Sequence, residues 1–269
     1  MAPEQDTTAL CPAAGVDIGA DGVALVRISA GGPLNIIGSA TALSLAAQLR
    51  ALARNEAVRA VVILGTGSKT FVGGADIREL ATLAPASARR FISALHAMCE
   101  AARDLPVPSL CAIPGWCIGV GLELAAACDI RMAAADAQFV MPEVRIGIPS
   151  VIHAALLSRL IGEGRARWLM LTGEPIDAPQ AQAWGLVTEV LPQPQLEDAA
   201  LRLARDLAQL APEGMRAQKR VLRASESPHL DASMAHSIEL FGAAYESADP
   251  ARLMQAFLAR KYAGKAGTV

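Results

Sequence analysis

The chain reads as an α/β protein in which strand, turn and helix units build a core and a run of helices follows. Three observations carry this reading. Val58 to Leu64 and Ser109 to Ile113 are continuous apolar runs of strand length, as expected of strands buried on both faces. Two strand ends run into glycines that open helical patterns, Gly73-Gly74 and Gly119-x-Gly121. Beyond Pro194 strand patterns stop and only helical periodicity remains.

In chain order, Val16 to Ile18 and Val23 to Ile28 flank Gly19-Ala20-Asp21-Gly22 and predict a hairpin. Thr41 to Arg54 carries a helical stripe, and Val58 to Leu64 is the first buried strand. Gly65-Thr66-Gly67-Ser68-Lys69-Thr70 lacks the four-residue gap of a phosphate loop and is rejected as one. Phe71-Val72 is a short strand entering Gly73-Gly74, with a helix predicted near Asp76, a good capping type. Ala86 to Leu105 is a long helix stopped by Pro106 and Pro108. Ser109 to Ile113 is a strand, and a helix is predicted from about Gly119. Ile130 to Ala133 and Gln138 to Val140 are strands. Ser150 is expected to cap a helix containing Val151, Ala154 and Leu157. Leu186 to Leu191 is a last strand, and four helices follow, at about 196–210, 212–224, 231–246 and 251–262. The expected organisation is a tail over 1–12, a β/α core over 13–195 and a helical region over 196–269.

The totals exclude several classes. The 269 residues can bury a substantial core, and 53% are hydrophobic. A net charge of −2, no basic cluster and 4% aromatics leave no electrostatic footprint for nucleic acid. Five cysteines without C-x-x-C spacing argue for a reducing, cytoplasmic setting and against disulfides or zinc. The four histidines form no H-E-x-x-H pair, so no metal is expected. The start, MAPEQDTT, carries acids and no apolar segment and is not expected to act as a signal peptide.

Chemistry concentrates between Pro106 and Cys128, where Glu123 is the lone charged residue. A membrane helix is excluded there by Pro114 and the glycines at 115, 119 and 121, so no membrane partner is expected. A dinucleotide fingerprint is excluded because Leu124 stands where its third glycine belongs. What remains is a strand, a glycine turn and a helix start, whose free N–H groups face negative charge. Ala75 occupies the matching place at the Gly73-Gly74 turn. Two such donors form an oxyanion hole, and the carboxylates Glu123 and Glu143 supply acid and base. No serine or cysteine has a histidine at triad spacing, and a sugar site would want more aromatics.

Phe71-Val72-Gly73-Gly74-Ala75-Asp76-Ile77, Gly115-x-x-x-Gly119-x-Gly121-x-Glu123-Leu124, Cys128-Asp129 and Ala137-Gln138-Phe139-x-x-Pro142-Glu143 resemble the enoyl-CoA hydratase/isomerase (crotonase) family over nearly the whole chain. The resemblance implies a spiral of β-β-α turns with a C-terminal trimerisation region, giving trimers or dimers of trimers. It implies a coenzyme A thioester whose carbonyl oxygen is held by the N–H groups of Ala75 and Val120, with no cofactor beyond the substrate's own coenzyme A. Gly73, Gly74, Asp76, Ile77, Arg78, Trp116 and Gly119 would line the substrate. Hydratases of the family carry both glutamates matched by Glu123 and Glu143, 20 residues apart (143 − 123), whereas several isomerases keep only the second. Hydration of a 2-enoyl-CoA is therefore implied, with Glu123 as base on water and Glu143 as proton donor to the α-carbon. A double-bond isomerase or other enolate chemistry is the alternative, followed by a non-catalytic acyl-CoA or RNA-binding relative. The chain departs from the hydratase pattern at Val120, where glycine is usual, and in Gly147 to His153, the segment that shapes the acyl pocket.

Overall fold

A computed structural model describes residues 13–30, 32–226 and 228–266. The expected tail over 1–12, with Cys11, lies outside the described residues. The chain opens with a hairpin, β1 (Ala14–Ile18) antiparallel to β2 (Val23–Ile28), and α1 (Ser39–Arg54) follows. The chain then winds in turns, each laying one strand into each of two sheets. The pairs are β3 (Ala60–Gly65) with β4 (Thr70–Val72), β5 (Ser109–Ile113) with β6 (Trp116–Ile118), and β7 (Ile130–Ala134) with β8 (Gln138–Val140). Helices α2 (Ile77–Leu80) and α3 (Pro85–Arg103) close the first turn and α4 (Val120–Ala127) the second.

Sheet order follows from this winding. The larger sheet runs β1-β2-β3-β5-β7-β10, with β10 at Glu189–Leu191, and is parallel from β2 onward. The smaller runs β4-β6-β8-β9, with β9 at Ile176–Asp177 antiparallel to β8. Every residue of β3 and β5 is buried, because the larger sheet is covered on both sides. One face packs on α8 (Gln193–Ala208), which presents Leu196, Ala200, Ala204 and Ala208 at four-residue spacing to Val62, Leu110 and Met132. Small side chains there let the helix lie close to the strands. The other face joins the main core with Leu45, Leu49, Leu95 and Met98 from α1 and α3.

Between β8 and β10 come two short 3-10 turns, Glu143–Ile146 and Ile152–Leu156, then α5 (Leu157–Ile161), α6 (Glu163–Thr172) and α7 (Ala178–Trp184). The expected helix from Ser150 is thus a 3-10 turn running into α5, and the Ser150 side chain does not cap it. After α8 come α9 (Pro212–Ala224), α10 (Pro228–Ala244) and α11 (Asp249–Ala266).

Charged bonds fasten this helical region to the core. Asp129 accepts from Ser109 N at 2.8 Å and Ser109 Oγ at 2.9 Å, while Lys219 of α9 reaches both its oxygens at 2.6 and 2.7 Å. One carboxylate therefore joins the start of β5, the start of β7 and α9. No helix is long and apolar enough to cross a membrane among the described residues.

Candidate active site

Two strand ends deliver the site. At the first, β4 gives way to Gly73 and Gly74, the latter at φ +98°, a conformation side chains rarely adopt. Ala75 then bridges Ile37 in parallel: Ile37 N donates to Gly74 O at 3.0 Å and Asp76 N to Ile37 O at 2.9 Å. The Ala75 N–H between them faces the other way and donates to none of the described residues. Asp76 caps α2 by accepting from Arg78 N at 2.9 Å.

At the second, β6 reaches Gly119 at φ +53° and ψ −116°, and Val120 begins α4. A Cβ on Gly119 would lie 2.3 Å from Glu143 Oε1, so the missing side chain is what lets this carboxyl lie against the turn. The Val120 N–H, first in its helix, has no intrahelical acceptor. The Val120 side chain is buried, 3% exposed.

Glu123 stands one turn into α4, 4% exposed, and accepts from Ala154 N at 3.1 Å. Burial pushes its carboxyl well above the ordinary range, the charge of Glu143 adds to the rise, and the Ala154 N–H opposes it. Glu143 is half-buried and accepts from Ser150 Oγ at 2.8 Å. Burial raises it as well, against its own N–H and the Ser150 hydroxyl. Both carboxyls are thus held above the ordinary range, and the charge of Glu143 makes ionisation of Glu123 harder still.

The two carboxyls stand where two spaces meet. A cavity of about 1280 Å³ is lined by Gly73, Gly74, Asp76, Ile77, Arg78 and Gly119, by Glu143, and by Arg145, Phe257 and Arg260. A small chamber of about 30 Å³ continues beyond it, walled by Phe91, Leu95, Val120, Ile148, Val151 and Phe241. Glu123 lines only the chamber, whereas Glu143 and Ala75 line both spaces. Arg145 donates to Thr172 O and pairs with Glu174.

Of the site residues expected from sequence, Trp116 alone lines neither space; it sits on β6, 42% exposed. Ser150, the Ala154 N–H, Arg145 and Arg260 were not expected. Only Ser150 carried a signal, and its polar side chain before an apolar run reads equally as a cap. Among the described residues His96, Glu100 and His153 bring potential metal-ligating atoms within 4.8 Å of one another. Glu100 already accepts from Arg103 and Arg223, however, and two guanidiniums beside the carboxylate oppose a divalent cation.

The model of the family described as enoyl-CoA hydratase/isomerase matches residues 19–264. The short-chain-enoyl-CoA hydratase of Clostridium acetobutylicum is 31% identical over 240 residues, covering 89% of this chain and 92% of that one. The 2,3-dehydroadipyl-CoA hydratase of Escherichia coli is 32% identical over 241 residues, covering 89% and 93%. Among solved structures, an enoyl-CoA hydratase/isomerase from Pseudoalteromonas atlantica superposes with a TM-score of 0.83 at 26% identity, covering 92% and 97%.

The raised carboxyl of Glu123 has a consequence for stability. Between the ordinary glutamate pKa of about 4.3 and its raised value, the folded chain holds a proton that the unfolded chain releases. Stability from this source therefore falls as pH rises through that window. Glu123→Gln, which keeps an acceptor for Ala154, removes the Glu123 part of the slope and leaves that of Glu143. Thermal unfolding at a series of pH values should show the wild type losing ground to Glu123→Gln as pH increases above about 4.3. Parallel curves would mean that the carboxyl is not held as described.

Proposed function

The chain belongs to the enoyl-CoA hydratase/isomerase family, and we propose that it adds water across the 2,3-double bond of a short, uncharged 2-enoyl-CoA thioester. The observation that carries this is the pair of carboxyls, Glu123 buried and Glu143 half-buried, at the junction of a large cavity and a small apolar chamber, beside two amides that donate to none of the described residues. The large cavity takes the coenzyme A portion, with Arg78 and Arg260 available to its phosphates. No cofactor beyond the substrate's own coenzyme A enters the chemistry.

The thioester oxygen accepts from the N–H groups of Ala75 and Val120, which stabilise the negative charge that gathers there as water adds. Because Glu143 touches both spaces and Glu123 only the inner one, Glu143 meets the α-carbon and Glu123 the β-carbon. Ionised Glu123 takes a proton from water as the oxygen bonds to the β-carbon. The π electrons move toward the thioester as an enolate, and protonated Glu143 gives its proton to the α-carbon. One proton has then passed from Glu143 to Glu123, and exchange within the pair resets the site. In the empty site burial favours the proton on Glu123, so substrate entry must shift it to Glu143.

The chamber sets the acyl group. About 30 Å³ holds roughly two water-sized groups, enough for the attacking water and one methyl beyond the reacting carbons. No Lys, Arg or His lines it, so a second carboxylate on the acyl tail would be buried without a partner. The exposed apolar side chains Leu210, Val221, Leu222 and Leu240 of the C-terminal region support assembly as a trimer or dimer of trimers. Four buried cysteines without disulfides, Cys99, Cys111, Cys117 and Cys128, support a cytoplasmic setting.

Mass spectrometry on a panel of enoyl-CoA thioesters should show addition of one water, fastest on the shortest chains. Glu123→Gln and Glu143→Gln should each remove most turnover while thioester binding persists. Near-normal turnover in Glu123→Gln alone would mean isomerisation instead. Val120→Gly should admit bulkier acyl groups without a gain on short ones, because the donor N–H is already present. A gain near a hundredfold on a short thioester, the size of one restored donor, would show the native N–H to be misaimed. Light scattering should give a trimer or hexamer, and a stable monomer at micromolar concentration would contradict the assembly.

A further inference from the structure

The turn that reaches Glu123 is built from a residue ill suited to it. Ile152 sits at φ +42°, and a β-branched side chain there is a steric outlier. It is the second residue of a tight turn closed by Ala154 N donating to Val151 O at 2.9 Å, a position that favours glycine when φ is positive. The same Ala154 N–H is shared with Glu123 Oε1 at 3.1 Å. Strain of this kind persists only where surroundings over-determine it.

Two contacts from different elements do so. From α10, Ser237 Oγ accepts from Ile152 N at 2.8 Å, and its own hydroxyl proton goes to Met234 O at 2.7 Å. The serine is thereby oriented with a lone pair toward the turn. From α3, Glu100 Oε2 lies 3.0 Å from His153 Nε2, and the His153 ring is fully buried. Burial keeps this imidazole neutral, so Nε2 carries the proton and donates. Glu100 is fixed in turn: against its burial, the His153 bond, Arg103 and Arg223 hold its carboxyl down at about 2.

We infer that Ser237 and the Glu100–His153 pair are positioning residues, clamping the turn at Ile152 in a glycine-type conformation so that the Ala154 N–H is held on the Glu123 carboxyl. They touch no substrate and act through Glu123. The inference rests on Glu123 being a catalytic carboxyl, as proposed above. The titratable groups facing Glu123 among the described residues are Glu143 and the Cys99 thiol of α3.

The test uses the full chain and a short enoyl-CoA thioester. Ser237→Ala should lower kcat about tenfold, the worth of one hydrogen bond, with KM little changed. The limb of the kcat–pH profile that reports the carboxyl pair should move to higher pH. Ser237→Thr, which keeps the acceptor, should behave as wild type. Adding Ile152→Gly to Ser237→Ala should restore kcat, because glycine adopts positive φ without a clamp. A Ser237→Ala chain that melts earlier but keeps its kcat and pH profile would overturn the inference, as would a double variant no better than Ser237→Ala. Should the wild type hydrate no enoyl thioester, the hydration reading fails by itself. The clamp is then read without turnover: Ser237→Ala should extend the pH-dependent loss of stability to higher pH, and Glu123→Gln should cancel the difference. An unchanged slope would sink it.

Discussion

On the proposed reaction, a carboxyl at position 123 has to be buried and still able to change its charge, and much of the structure bears on that demand. Burial by itself favours the protonated form of Glu123. The Ala154 N–H on one oxygen opposes this, and the nearby Glu143 reinforces it. The chemistry proposed here works in that balance, where one proton serves two groups. Gly119 is part of the same arrangement, since any side chain on it would displace Glu143.

The fold was legible wherever a periodic pattern was long enough to stand alone. The hairpin, the buried strands β3 and β5, the long α3 and the helices after Pro194 all follow from apolar spacing and breakers. β6 and β9 were not legible, β6 because its three residues lie among the glycines at 115, 119 and 121 that read as a turn, and β9 because it has only two residues. A strand that short is defined by its neighbours across the sheet, here Thr70 and Gln138 for Trp116, and not by its own sequence. The helix expected from Ser150 failed for a related reason. Tertiary bonds to Ile152 and His153 bend the segment into a 3-10 turn, and the Ser150 hydroxyl goes to Glu143.

Within the site, the residues legible in sequence were those tied to local geometry, such as the two glycine turns and Glu123 in the first turn of α4. Ala154 was illegible because it contributes only a backbone N–H, for which any residue other than proline serves. Arg145 and Arg260 were illegible because a surface arginine looks the same whether it lines a cavity or faces water. Trp116 shows the opposite case. It lies three residues before Gly119 and shares a strand face with Ile118, which lines the large cavity, yet it sits two positions further back along β6 and lines neither space.

Composition changes sharply near residue 195, and the larger sheet does end at Leu191. That boundary nevertheless divides no function. Phe241 of α10 walls the small chamber, while Phe257 and Arg260 of α11 line the large cavity. Ser237 holds the turn that serves Glu123. Arg223 of α9 and Arg103 of α3 converge on Glu100 and Glu226, so the charges that fasten the helices to the core also fix the His153 side of that turn. Helices fastened by a few ion pairs and one apolar face would ordinarily be free to shift by a fraction of an ångström. A site whose carboxyl depends on a hydrogen bond of 3.1 Å cannot tolerate such a shift. On the proposed reaction, the ion pairs of Arg103 and Arg223 support the site from a distance, because they tie the C-terminal helices to the Glu100–His153 contact beside Ala154.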